Sequence, residues 1–186
     1  MSDKIIRITT PLTEETVARL KAGDEALITG ELFTARDAAH KRLVDLLDAG
    51  KPLPFDMKGA VIYYVGPSPA KPGAVIGSAG PTTSYRMDAY SERLMEVGMK
   101  GMVGKGKRAK AVVDGMVKHK AVYFAAIGGA AALIARSVKS VDLVAYEDLG
   151  PEAIRRMMVV DFQVVVINDI HGNDLYEIGQ AKYRIG

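Results

Sequence analysis

The stretch GMVGKGKRAKAVVDGMVKHKAVYFA (residues 101–125) decides the fold. Residues 101–103 are short and apolar and read as a strand. Residues 107–118 read as a helix, and residues 121–125 as a buried strand. Strand, helix and strand in so short a run is the repeating unit of an α/β protein. The alternation continues outward. Upstream, residues 60–65 form a strong strand, apolar and β-branched or aromatic apart from Ala60, and residues 87–97 read as a helix. Downstream come a helix over 128–137, a strand over 141–146 and a short helix over 151–155 with Pro151 at its start. A long strand over 159–167 and a turn over 169–174 follow.

The first third has the same ingredients with longer links. Residues 4–9 and 26–32 read as strands, and residues 13–21 as a helix. Thr34 reads as the N-cap of a helix over 35–49, because Ala39, Leu43, Leu46 and Leu47 recur at helical spacing. Gly50-Lys51-Pro52 stops it. Residues 66–73, with three prolines and two glycines, are too turn-laden for regular structure. The expected class is α/β with a mixed sheet or two layers of sheet, in one domain over residues 1–186.

Composition narrows the function classes. The chain has 48% hydrophobic and 25% charged residues, ordinary for a globular protein, and a net charge of +3. No block of like charge and only 6% aromatic residues leave nucleic-acid binding without support. There is no cysteine, which excludes disulfides, thiolate catalysis and Cys-ligated metal within this chain and fits a cytoplasmic setting. The first residues lack the apolar core of a signal peptide. The longest charge-free run, 121–135, is shorter than the roughly 18 residues of a membrane span. Neither a membrane nor a nucleic acid is an expected partner.

Three segments carry candidate chemistry. Gly80-Pro81-Thr82-Thr83-Ser84-Tyr85-Arg86-Met87-Asp88 follows the apolar run Ala74-Val75-Ile76 and precedes a helix. A strand-to-helix junction offers free backbone N–H groups to an anion, and Arg86 adds a fork that matches a carboxylate. The same residues also suit a plain capped helix start, with Arg86 paired to Asp88 or solvent. Thr34-Ala35-Arg36-Asp37-Ala38-Ala39-His40 places Arg36 in a first helical turn, against the helix dipole, which hints at a bound anion. The alternative is an ion pair to Asp37 or Glu31, with His40 a buried, hydrogen-bonded histidine. Gly104-Lys105-Gly106-Lys107 sits at another junction but lacks the spacing of a Walker A loop. Asp169-Ile170-His171-Gly172-Asn173-Asp174 has metal-ligand residue types that a turn explains, and His119 between two lysines reads as a surface residue. No metal ligand is expected in this chain. Arg36, Arg86 and Lys105 thus each stand at a junction, and three converging cations suit a substrate with two carboxylates.

These segments, with Gly128-Gly129-Ala130-Ala131-Ala132, resemble class I, iron–sulfur-dependent fumarate hydratases and the related L-tartrate dehydratases. The order and rough spacing fit nearly the whole chain. The chain resembles the β subunit, equivalent to the C-terminal domain of the fused enzymes. The resemblance implies a swivelling three-layer β/β/α domain that closes one side of an active site. It implies a hetero-oligomer with an α subunit, whose cysteines hold a 4Fe-4S cluster with one iron open. It implies that Arg36, Arg86 and Lys105 grip the carboxylates of a small dicarboxylate. It places Thr82 at the reacting carbon as a candidate for proton transfer, with Thr83 beside it and His40 and Asp88 behind the set. A threonine hydroxyl is a poor base alone, so a neighbouring charged group is required. Ser84-Tyr85 stands where the family has small residues such as Ala-Gly, and Lys107 where it has Asn. The implied reaction is the reversible hydration of fumarate to L-malate. Tartrate dehydration, a phosphate- or nucleotide-binding module on residues 104–107 and a non-catalytic interaction protein are the alternatives.

Overall fold

The computed structural model describes residues 5–126 and 131–183. Its strands are β1 (Ile6–Thr9), β2 (Glu25–Thr34), β3 (Val61–Tyr63), β4 (Gly101–Gly104), β5 (Val122–Ala126), β6 (Val138–Ala145) and β7 (Ile154–Asn168). Its helices are α1 (Glu14–Ala18), α2 (Asp37–Asp48), α3 (Asp88–Glu96), α4 (Lys110–His119), α5 (Ala131–Ser137) and α6 (Leu175–Tyr183). The class is α/β with a mixed sheet. Strands β1 to β5 are parallel neighbours in sequence order. Parallel neighbours need crossovers, and α2, α3 and α4 supply them between β2 and β5. β7 runs antiparallel to β2, β5 and β6. Because β7 pairs with both β2 and β5, strands β2, β3, β4, β5 and β7 close into a ring.

The period of two along each strand splits the apolar residues between two cores. One core takes Ile28, Val61, Tyr63, Val103, Phe124, Phe162 and Val164, from every strand of the ring. The other takes Ile62, Tyr64, Met102 and Tyr123 from the opposite strand faces. It packs them against Ala39 and Leu43 of α2, Leu94 and Met95 of α3, and Val112 and Met116 of α4. The first core gathers side chains from every strand of the ring with Val17 of α1 and Ile134 of α5, and the second joins the opposite strand faces to α2, α3 and α4. The carboxyl ends of β2, β3 and β4 emerge side by side at one rim.

Several local expectations are corrected. Thr34 ends β2 and does not cap a helix; the residue at the N-cap of α2 is Arg36, which makes no side-chain cap bond. The Thr34 hydroxyl donates to the Ala153 carbonyl at 3.1 Å and accepts from the Arg155 amide at 2.9 Å. Pairing with β3 and β7 draws β2 past the expected end at Leu32. Residues 74–78 form no strand. They belong to an irregular loop tied across its base by Ser68 N–H to Ser78 O at 3.0 Å and by Ser78 N–H to Ser68 Oγ at 2.7 Å. Residues 151–155 are not a helix: a 3-10 segment covers Glu147–Glu152, and Ile154 opens β7. β6 and β7 both begin earlier than expected because they pair with each other as a hairpin. α6 follows the expected turn over 169–174 and is an element that the sequence pattern does not predict. The expected start of a strand at Lys4, and residues 128–130 at the expected start of α5, lie outside the described residues.

Candidate functional site

The site is built on the rim formed by the ends of β2, β3 and β4, where open α/β sheets place their ligands. Residues 82–84 lie across two of these ends. The Thr82 amide donates to the Tyr64 carbonyl, just past β3, at 2.7 Å. Thr83 forms a parallel bridge with Lys105, just past β4, and the Ser84 amide donates to the Lys105 carbonyl at 2.9 Å. The chain then enters a 3-10 turn, Ser84–Met87, from which Arg86 reaches Asp37 at 2.8 Å. Asp37 is the first residue of α2, so the third strand end joins the other two. Thr82, Thr83, Arg86 and Lys105 are therefore gathered with the start of α2.

Arg36 follows β2 and forms an ion pair with Glu152 at 3.2 Å, in place of the expected Asp37 or Glu31. Arg86 pairs with Asp37 in place of Asp88. Both arginines already hold a carboxylate, and each uses one terminal nitrogen to do so. Neither guanidinium makes a further hydrogen bond among the described residues. Arg36 Nε and Asp37 Oδ1 are buried without a hydrogen-bond partner among the described residues, which leaves polar capacity open at the start of α2. The exposed Lys105 ammonium has no ion-pair partner among the described residues. Neither threonine hydroxyl is engaged by another described group.

His40 is fully buried one turn into α2. Its Nδ1–H donates to the Arg36 carbonyl at 2.9 Å, and its ring meets Tyr64 edge-on at 5.3 Å. Burial, with the nearby Arg108 charge, pushes its pKa down to about 4, so the ring is neutral. Its contact is with the backbone of Arg36, not with the rim itself.

Asp88 is held by a residue that sequence reasoning missed. Arg108 has a side chain with 0% exposure and an Nε 2.7 Å from the Asp88 carboxylate. The Asp88 carboxylate also accepts the Ala109 amide at 2.9 Å, at the start of α4. An acidic side chain thus already occupies the helix end on which a phosphate-binding module would depend. Lys107 pairs with Glu177 at 2.9 Å, and the Lys105 and Gly106 carbonyls accept from Ser84 N–H and Tyr123 O–H. Nothing in the local sequence announced Arg108; its partners come from α3, from Tyr64 just past β3, from β4 and from β5. The signal for Asp37 was available, since an acid at the start of a helix is one arginine fork away from a neighbouring loop.

The turn at 169–174 is structural. Asp169 accepts backbone amides of Ala22, His171 and Asn173, and Asp174 accepts that of Tyr176. His119 is only 16% exposed, contrary to the surface reading, and lies 3.8 Å from Glu92. Its near neighbours Glu92 and Glu96 are taken up by Lys118 and Arg93. No helix among the described residues is long and apolar enough to cross a membrane.

Fold and site together define an α/β domain with a cationic rim at the ends of its parallel strands. The profile of the Fumarase C-terminus family matches residues 1–179, and the chain belongs to that family. It is 43% identical over 152 residues to the anaerobic class I fumarate hydratase of Escherichia coli and 39% identical over 162 residues to fumarate hydratase 2 of Leishmania major. Those matches cover 81% and 86% of this chain but 28% of each relative, so the chain spans little more than a quarter of their length. A protein of Methanocaldococcus jannaschii named "Putative L(+)-tartrate dehydratase subunit beta" is 40% identical over 172 residues, covering 89% of this chain and 88% of that one.

Proposed function

We propose that this chain, as one domain over residues 1–186, is the β subunit of a class I hydro-lyase that interconverts fumarate and L-malate. One observation carries the reading. Arg36, Arg86 and Lys105 stand at or beside the ends of three consecutive parallel strands, with Thr82 and Thr83 between them. A small dianion needs cations on more than one side, and the rim supplies them with donors to spare. The likeness to a relative named as a β subunit supports a partner α subunit.

The family resemblance implies a 4Fe-4S cluster on that partner. This chain has no cysteine, and its rim offers cations and hydroxyls, so it fits the substrate's carboxylates and leaves cluster ligation to the α subunit. When bound there, the cluster supplies a Lewis-acidic iron for the hydroxyl gained or lost. The part of this chain is to bind and orient. Arg36 and Arg86 exchange part of their hold on Glu152 and Asp37 for substrate carboxylate oxygens. Lys105 approaches from the end of β4. These charges stabilise the extra negative charge that develops on the carboxylate when the adjacent carbon loses its proton. Thr82 accepts that proton on its oxygen as its own hydroxyl proton passes to a charged group of the partner, so the hydroxyl stays neutral throughout.

The test is anaerobic co-production with the candidate α subunit, followed by assays of fumarate and of tartrate. Each chain alone serves as control. Turnover of fumarate only in the mixture is expected. A cluster-loaded complex that acts on tartrate alone moves the assignment to the tartrate dehydratase, and one inactive on both acids refutes the hydro-lyase reading. Arg86→Ala in the active complex is expected to lower kcat/KM at least about tenfold, the cost of one charge-assisted hydrogen bond.

A further inference from the structure

Arg86 and Lys105 are exposed and belong to two different loops, yet their spacing must hold to within a fraction of an ångström if they are to grip one small anion. From the buried cluster beneath them we infer that Arg108 is a positioning residue, which fixes the loop of Arg86 to the loop of Lys105. The inference rests on the function proposed above for its catalytic consequence, but not for its structural content.

Arg108 lies three residues beyond Lys105, and its guanidinium is wholly enclosed. Its Nε donates to Asp88 at 2.7 Å and its Nη2 to Ser91 Oγ at 2.7 Å, both on α3 immediately after Arg86. Its carbon centre stacks over the rings of Tyr64 at 5.4 Å and Tyr123 at 5.0 Å. Those two tyrosines reach the rim directly. The Tyr64 carbonyl holds the Thr82 amide, and the Tyr123 hydroxyl lies 2.8 Å from Ser84 Oγ and donates to the Gly106 carbonyl at 2.9 Å. One buried cation therefore touches α3, Tyr64 and Tyr123, which join residues 82–86 to residues 104–106 beside the direct bonds to Lys105 and the ion pair of Arg86 with Asp37. Burial works against its charge, but Tyr64 and Asp88 more than offset this and hold its pKa above the usual arginine value. A buried ion pair adds little net stability over a well-packed apolar replacement, so its value here lies in the geometry it imposes. The rim is the geometry that depends on this one.

The experiment has two arms on the full chain and on its complex. In the first, amide hydrogen exchange is followed in wild type, Arg108→Lys and Asp88→Asn. Protection of the Thr82 and Ser84 amides is expected to fall at least about tenfold in both variants, with protection in β7 unchanged. Unchanged protection at Thr82 and Ser84, or an equal loss throughout, overturns the inference. In the second arm, Arg108→Lys in the active complex is expected to raise KM for the dicarboxylate about tenfold. Combined with Arg86→Ala it should lose no more than Arg86→Ala alone, because it acts through that residue. Losses that multiply overturn the positioning role. If the wild-type complex turns over no dicarboxylate, the proposed function fails by itself and the exchange arm still decides the role of Arg108.

Discussion

His40 shows how much a single buried side chain can reveal about pH. Its pKa is pushed down to about 4 by burial, against an ordinary value of 6.5. Between those values the unfolded chain binds a proton that the folded chain refuses. Stability is thus whole above about pH 6.5 and is lost as pH falls toward 4, by about 3 kcal/mol in all. Urea unfolding near pH 7 and near pH 5 should show about 2 kcal/mol of this drop in wild type. The His40→Asn variant keeps a donor for the Arg36 carbonyl but cannot ionise, and the drop should vanish whatever its stability at neutral pH. At this scale the sequence showed which residues carry charge at the junctions. It did not show their partners. Arg36 takes Glu152, 116 positions away by numbering, and Arg86 takes Asp37, because strand ends that are distant in the chain are neighbours in the sheet.

At the scale of elements, the end of β2 and the end of β4 each depend on one small feature. The Thr34 hydroxyl serves the Ala153 carbonyl and the Arg155 amide, tying the end of β2 to the start of β7. Thr34→Val keeps the shape and leaves both partners wanting, so a loss of about 1–3 kcal/mol is expected. Were Thr34 a helix cap, the loss would instead appear as fraying of α2, which circular dichroism would distinguish. Gly104 ends β4 where a Cβ would run into Ser84 Oγ and stand 2.9 Å from the Tyr64 ring. Gly104→Ala should therefore displace the segment laid across the rim. The expected result is a loss of about 1–3 kcal/mol in thermal unfolding, with a fall in kcat/KM of the complex larger than any fall in Tm would suggest. Neither role was visible locally. Thr34 stands where a cap would stand, and a glycine after an apolar run reads as a turn; in both cases the deciding neighbour comes from another part of the chain.

Across the whole molecule, the closure of the ring by β7 makes the inner core continuous. Phe162 is fully buried in it, edge-on to Tyr63 at 5.3 Å. Phe162→Ala is expected to cost about 3–5 kcal/mol and to lower the stability of helices and strands together. Separate transitions for the two would show that the two cores are independent. The sequence by itself determined the α/β class, the order of the central strands and helices, and the candidate rim cations Arg36, Arg86 and Lys105. Periodicity, turn chemistry and charge are local properties, and they suffice for local structure. The tertiary structure alone decided the length of β2 and β7, the loop at 74–78, the ion pairs of the arginines and the burial of Arg108. Each of these depends on pairing or packing between segments far apart in the chain. An apolar run becomes a strand only where another strand offers it hydrogen bonds, and a charge stays buried only where distant side chains meet to satisfy it.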